Sequence, residues 1–250
     1  MSLKNKVAIV TGGSRGIGRA ISIQYAREGA LVALNYLSDR ASANEVVKTI
    51  KGLGSEAIAV QADVADKRQV EMMVQNVVKK WQKIDILVNN AGVAPFAGFF
   101  ETTEEVLDRS MAVNCKGVFL VSQAVARVMA EKGGGKIINI TSISGVKATG
   151  PLQTAYCASK GAANMLTKAM AVALAPYKIN VNAILPGTIE TDLNREILKD
   201  PATKDNIIKA TPLKSLGRPE DIAQAAVYLG SDAANWVTGA LIVVDGGFIA

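Results

Sequence analysis

The strongest limit on the fold is an alternation, kept up along the whole chain, of short apolar runs with amphipathic stretches. The runs are KVAIVTG, ALVALNY, EAIAVQAD, IDILVNNAG, GKIINITS, INVNAILPG and ALIVVDGG. Such runs read as parallel strands buried on both faces. Between them, segments opening near Gly16, Asp39, Asp66, Thr103, Ala155 and Pro219 carry helical spacing, several with acids in the first turn. The pattern predicts an α/β chain with a doubly wound parallel sheet of about seven strands flanked by helices, which takes ligands at the carboxyl ends of its strands. With 250 residues, 49% of them hydrophobic, the chain can bury one large core, so residues 1–250 read as a single domain. The one long interruption, residues 187–218, is polar and bounded by Pro186 and Pro219. A long connection in a compact domain is usually functional, and this one reads as a lid over the site.

Composition removes several chemistries. The net charge of +6 comes from basic residues scattered among acids, which suits a solvated surface with a local anion site rather than a nucleic-acid groove. The two cysteines, Cys115 and Cys157, lack CxxC spacing, so no disulfide framework or thiolate metal site is expected. There is no histidine, which excludes Ser-His-Asp hydrolysis and Cys-His nucleophiles. Any acid or base must be another residue. The opening MSLKNKVAIVTGG lacks a signal-peptide run and no segment reaches membrane-spanning length, so a cytoplasmic protein with no membrane partner is expected.

The first run leads directly into TGGSRGIGRA. Here Gly12, Gly16 and Gly18 would let backbone N–H groups approach a pyrophosphate, while the following helix aims its positive end at that charge. The spacing departs from G-x-G-x-x-G, so position after the first strand carries the argument. The end of the second run, ALNYLSDR, puts Asn35, Tyr36 and Ser38 where an NAD site commonly presents an acid, then Asp39 and Arg40. Arg15 can swing toward the same spot. A guanidinium fork suits a phosphate, so NADP is favoured over NAD, although Asp39 lies close enough to pair with Arg40. Further along, TAYCASK sets Tyr156 and Lys160 four positions apart on one helix face.

Taken together, TGGSRGIG, ADV at 62–64, NNAG at 89–92, Asn114, Ser142, YCASK at 156–160 and PGTIET from Pro186 resemble the classical short-chain dehydrogenase/reductase family over essentially the whole chain. The resemblance implies a Rossmann-type fold and hydride transfer between a nicotinamide and an alcohol or carbonyl. In that scheme Tyr156 is the acid/base, and Lys160 lowers its pKa by charge and bonds the nicotinamide ribose. Ser142 would donate to the reacting oxygen, and Asn114 would hold a water that relays the proton. Asp63 and Val64 would meet the adenine, and Asn90 and Gly92 would line the nucleotide cleft. Ser14 and Ile17 in the glycine turn, with Pro186, Gly187, Ile189 and Thr191 after the sixth strand, would complete the cofactor contacts. Asn180 stands where many members carry arginine, a change expected to affect packing.

On the substrate side, Ser144, Gln153, Thr188 and Asn194 can converge on Ser142 and Tyr156. Many short polar groups suit a small polyhydroxylated ligand, since unmatched buried donors penalise a greasy one. SIS, QTAY and LPGTIETDLN are similar to stretches of sugar 1-dehydrogenases of the L-rhamnose type, which oxidise an aldose to its lactone. Capping and tethering of loops would explain the same residues. A rival resemblance, to 3-oxoacyl-carrier-protein reductases, is weakened where those proteins often follow NNAG with Ile-Thr-Arg-Asp and this chain reads VAPFAGFF. A non-catalytic nucleotide-binding scaffold is opposed by the intact quartet of Asn114, Ser142, Tyr156 and Lys160. The resemblance also implies a homotetramer, formed through two long helices and the C-terminal strand region in NWVTGALIVVDGGF.

Overall fold

In the computed structural model, which describes residues 2–250 apart from the side chain of Glu196, the apolar runs form seven strands. They are β1 (Val7–Val10), β2 (Leu31–Tyr36), β3 (Ala57–Gln61), β4 (Ile86–Asn89), β5 (Gly135–Ile140), β6 (Ile179–Pro186) and β7 (Leu241–Val244). All pair in parallel, in the order β3-β2-β1-β4-β5-β6-β7. This is the Rossmann-type arrangement. The helices are α1 (Gly16–Arg27), α2 (Arg40–Gly52), α3 (Lys67–Trp81), α4 (Glu104–Met111), α5 (Val118–Glu131), α6 (Thr154–Leu174), α7 (Arg195–Leu198), α8 (Pro201–Ala210) and α9 (Pro219–Gly230). Short polar side chains end the strand-to-helix loops by satisfying free N–H groups. Asp39 caps α2 through Ser42 N, Asp66 caps α3 through the N–H groups of Arg68 and Gln69, and Thr103 caps α4 through Val106 N.

Two apolar layers sandwich the sheet. One joins it to α1, α2 and α9 through residues such as Ile21, Val46 and Ile222. The other joins it to α3, α5 and α6 through Val77, Val125 and Met170. β1 is fully enclosed, with Val7 to Val10 at 0% exposure. Burying each large aliphatic side chain contributes about 1.5–3 kcal/mol, so the centre of the sheet is the stable platform for the loops at its ends. Tyr25 on α1 is also fully buried and donates to Ala226 O on α9 at 2.8 Å. Burial drives its phenol pKa upward, as suits a structural hydroxyl.

The structure departs from the sequence expectation at three places. The outer strands are not covered on both faces: β3 ends exposed at Gln61, and Val243 of β7 is 42% exposed. The helical segment that opens near Thr103 is interrupted at Asn114, because Ala112–Gly117 forms a π-helical turn between α4 and α5. Residues 187–218 contain helices, α7 and α8, and α8 buries none of its residues. Asn180 fills a packing role, accepting from Lys136 Nζ at 2.9 Å and donating to Val237 O at 3.0 Å. No helix among the described residues is long and apolar enough to cross a membrane.

Candidate active site

From β1 the strand order runs one way to β2 and the other way to β4, so the loops after β1 and β4 part and leave a crevice at their carboxyl ends. The glycine turn occupies it. Gly12 and Gly16 have φ of 60° and 53°, which only glycine adopts at little cost. A methyl at Gly18 would overlap the Gly12 carbonyl and the Asn90 amide, and one at Gly16 would lie 3.4 Å from Thr191 Cγ2. Thr191 is therefore brought against the turn from 180 residues away in sequence, roughly, by the end of β6. Gly13, not singled out in the sequence, is equally constrained, since its methyl would lie 2.7 Å from Leu34 Cβ. At the start of α1, Arg15 occupies the capping position without capping, and the first turn carries no acid. Unclaimed N–H groups at a helix start with no competing carboxylate fit an anion such as pyrophosphate.

Asn90 braces the turn, its Nδ2 donating to Thr11 O at 2.9 Å and Gly12 O at 3.1 Å. Thr11 was missed in the sequence: its buried Oγ1 accepts from the N–H groups of Asn90 and Ala91. Ser14 is buried in the turn and Ile17 half-buried. Asn35 corrects an expectation. Only 2% exposed, it donates through Nδ2 to the carbonyls of Tyr36, Val60 and Ala62 and accepts from Gly12 N through Oδ1. It shapes the turn from beneath and has no donor left for a ribose. Ser38, Arg40 and Arg15 are exposed at the rim. Asp39 binds Ser42 rather than Arg40, and those bonds, helped by the nearby Arg15 charge, hold its carboxyl below its ordinary range. Asp63 accepts from Ala65 N and approaches Arg109 of α4 at 3.5 Å, while Val64 packs where a methyl at Gly117 would crowd it.

The four residues of the expected catalytic set come from three elements and meet beside this crevice. Ser142, 7% exposed just past β5, accepts from Ser144 N at 3.0 Å. Its hydroxyl also hydrogen-bonds Tyr156, which favours phenolate, but loss of water within the cleft outweighs this and raises the phenol pKa. Lys160 Nζ donates to Ile140 O at 2.9 Å and lies 5.7 Å from the centre of the Tyr156 ring. Burial lowers its pKa to about 8. Asn114 is fully buried in the π-helical turn. Its Oδ1 accepts from Val93 N at 2.9 Å, and its Nδ2 donates to Val93 O and Ser159 Oγ. Both amide protons are spent, so this side chain ties the loop after β4 to α6. A methyl at Gly92 would lie 3.2 Å from Asn114 Oδ1 and 3.6 Å from Lys160 Nζ, which explains the glycine there.

Toward the substrate side, Ser144 Oγ lies 2.7 Å from Thr149 Oγ1, which in turn donates to Gln153 Oε1 at 2.8 Å. Thr149 was not anticipated; KATGP gave it no signal beyond a loop. Pro186 ends β6, and Gly187 packs so closely that a methyl would sit 2.8 Å from Asp245 Cα. Thr188 is half-buried at the cleft. Ile189 points into the core at 2% exposure and its carbonyl accepts from Asn194 Nδ2 at 2.9 Å, so any ligand contact from Ile189 falls to its backbone N–H. Asn194 thus acts at least as a tether.

A family model described as Enoyl-(Acyl carrier protein) reductase matches residues 12–249. The chain is 43% identical to an L-rhamnose 1-dehydrogenase (NAD(P)(+)) of Azotobacter vinelandii, over 99% of this chain and 98% of that protein. It is 42% identical to a 3-oxoacyl-[acyl-carrier-protein] reductase of Staphylococcus epidermidis, over 97% of this chain and 98% of that one. The solved structure of a 7α-hydroxysteroid dehydrogenase complexed with NADH and 7-oxo glycochenodeoxycholic acid shares 37% identity and a TM-score of 0.95, covering 98% of this chain and 95% of that one.

Proposed function

The chain belongs to the short-chain dehydrogenase/reductase family of NAD(P)-dependent oxidoreductases, and from that premise we propose that it oxidises the anomeric carbon of an aldose to give the lactone. The observation that carries the choice of substrate is the hydrogen-bonded trio of Ser144, Thr149 and Gln153 beside Ser142. Such a wall matches the hydroxyls of a sugar and would leave a plain acyl chain facing unpaired polar groups. The similarity to an L-rhamnose 1-dehydrogenase over nearly the full chain points the same way.

The uncapped start of α1 and the glycine turn fit the pyrophosphate, and Asp63, Asn90, Gly92 and Thr191 border the rest of the nucleotide. Arg15, Ser38 and Arg40 at the rim favour NADP over NAD, because they offer cations and a hydroxyl to an added phosphate. Bound in its oxidised form, the nicotinamide supplies the hydride acceptor. Tyr156 takes the proton of the anomeric hydroxyl as C1 loses hydride, and Ser142 donates to the same oxygen as charge develops. Lys160 orients the ribose and passes the proton onward to solvent water, with Asn114 fixing the loop after β4 against α6 through Val93 and Ser159. Residues 187–218 form the lid of a single-domain enzyme, and the exposed Lys204–Glu190 pair at 3.2 Å lies within it. Exposed Phe119, Met165 and Val172 on the long helices, with Val243 on β7, support a homotetramer.

The test is a screen of aldoses, polyols, ketones and a 3-oxoacyl thioester with both nucleotides, followed through reduced-nicotinamide absorbance. Aldose oxidation should dominate, with NADP preferred. Dominant thioester reduction would reject the sugar assignment in favour of the acyl-carrier reading.

A further inference from the structure

Hydroxyl groups carry one proton each, and this fixes the polarity of the trio beside the catalytic serine. Thr149 Oγ1 donates to Gln153 Oε1 at 2.8 Å, and an amide oxygen can only accept. The Thr149 proton is therefore spent. The 2.7 Å contact between Ser144 Oγ and Thr149 Oγ1 must then run from Ser144 to Thr149. Ser144, 7% exposed, is left with lone pairs and no free proton, while Gln153 is left with its Nε2 protons as its remaining donors.

We propose that Thr149 is a positioning residue that sets the order of hydrogen-bond donors and acceptors in the sugar subsite, an inference that rests on the aldose reading above. Ser144 then presents an acceptor and Gln153 a donor. Each sugar hydroxyl can both give and take a proton, so neighbouring hydroxyls satisfy one acceptor and one donor held at fixed positions. A substrate with an isolated hydroxyl gains little from the arrangement. Ser142 Oγ accepts from Ser144 N and keeps its own proton for Tyr156 or the reacting oxygen. Thr149 itself touches neither reacting atom.

Thr149→Val keeps the shape and removes the hydroxyl. It should lower kcat/KM for aldoses about tenfold or more, mainly through KM, because one buried donor and one acceptor lose their partner. Turnover of a simple cyclic secondary alcohol should stay within about twofold, since its single hydroxyl binds at Ser142 and Tyr156 only. Thr149→Ser should restore aldose kinetics to within about threefold. Gln153→Glu supplies a second route: it keeps an oxygen to accept from Thr149 but replaces the donor with an acceptor, and should lower kcat/KM for the aldose several-fold more than for the simple alcohol. An equal loss on both substrates in Thr149→Val, or no loss on the aldose, overturns the proton-order inference and leaves the sugar function standing. A wild-type enzyme that neither oxidises aldoses nor is inhibited by them overturns the function and this inference together.

Discussion

Lys160 should cost the nucleotide-free protein stability, and by an amount that depends on pH. Its ammonium is buried, has one hydrogen bond, to Ile140 O, and takes a pKa of about 8 against 10.5 in an open chain. Below about pH 8 both folded and unfolded chains hold the proton, and the penalty is full at about 3 kcal/mol. Between about 8 and 10.5 only the unfolded chain holds it, so stability rises with pH and the penalty fades. Lys160→Met keeps the length of the side chain and removes the charge. It also leaves the Ile140 carbonyl without a donor, at about 1–3 kcal/mol, but that loss does not change with pH. The informative quantity is therefore the difference between variant and wild type at two pH values. From about pH 7 to about pH 9.5 the wild type should gain roughly 2 kcal/mol on the variant. For a chain of this size that is about 4–8 °C in the difference between their melting temperatures. Thermal melts without nucleotide, followed by circular dichroism at both pH values, measure it directly. A difference between the two proteins that is the same at both pH values would refute the claim that burial holds the lysine near neutrality. The variant should have no measurable turnover.

Two more outcomes test the nucleotide half of the cleft. Arg15→Ala should lower kcat/KM with NADP about tenfold while leaving NAD within about threefold, because a guanidinium is lost from the rim and nothing is lost from the ribose hydroxyls. Equal losses with both nucleotides would place Arg15 on the shared pyrophosphate instead. Gly18→Ala should abolish nucleotide binding in a titration of reduced-cofactor fluorescence, since the new methyl meets the Gly12 carbonyl and the Asn90 amide and must open the turn. Unimpaired binding would show that the turn is not the phosphate cradle.

The sheet was legible because its strands are continuous apolar runs, a pattern that only burial on both faces demands. Where burial is partial, legibility fell. β3 and β7 carry the same residue types as the inner strands, and nothing local marks them as edges. α8 was hidden because a helix that buries no side chain needs no apolar stripe, and α7 because its 4 residues are too few to show one. The π-helical turn carries Asn114, whose side chain bonds to Val93 and Ser159, 21 and 45 residues away, so no local spacing could announce that tether. The site divides in the same way. Tyr156 and Lys160 share a helix face and could be paired from their spacing. Thr11, Gly13 and Thr149 act through neighbours brought in by the fold, and Asn35 failed as a ribose ligand because the sequence could not show that its amide was already engaged by backbone.

Burial also alters the role that spacing suggested for Lys160. The four-residue interval argued that its charge would make the Tyr156 phenol more acidic. In the folded cleft, loss of water raises the phenol and lowers the amine, so both groups are drawn toward neutrality. The phenol therefore keeps its proton at a pH where the lysine already exchanges its own. Without further positive charge Tyr156 is a poor base, and the hydrogen bond from Ser142 only partly offsets this. An oxidised nicotinamide held in this cleft would bring one positive charge into the same low-dielectric space, which would favour phenolate and push the lysine further toward a neutral amine. On the proposed function, proton acceptance would then be coupled to nucleotide binding, with Lys160 a relay as much as a fixed charge. A lysine tuned by burial to exchange near pH 8 could pass on a proton that Tyr156 would take from the substrate, which a permanently charged side chain in its place could not do.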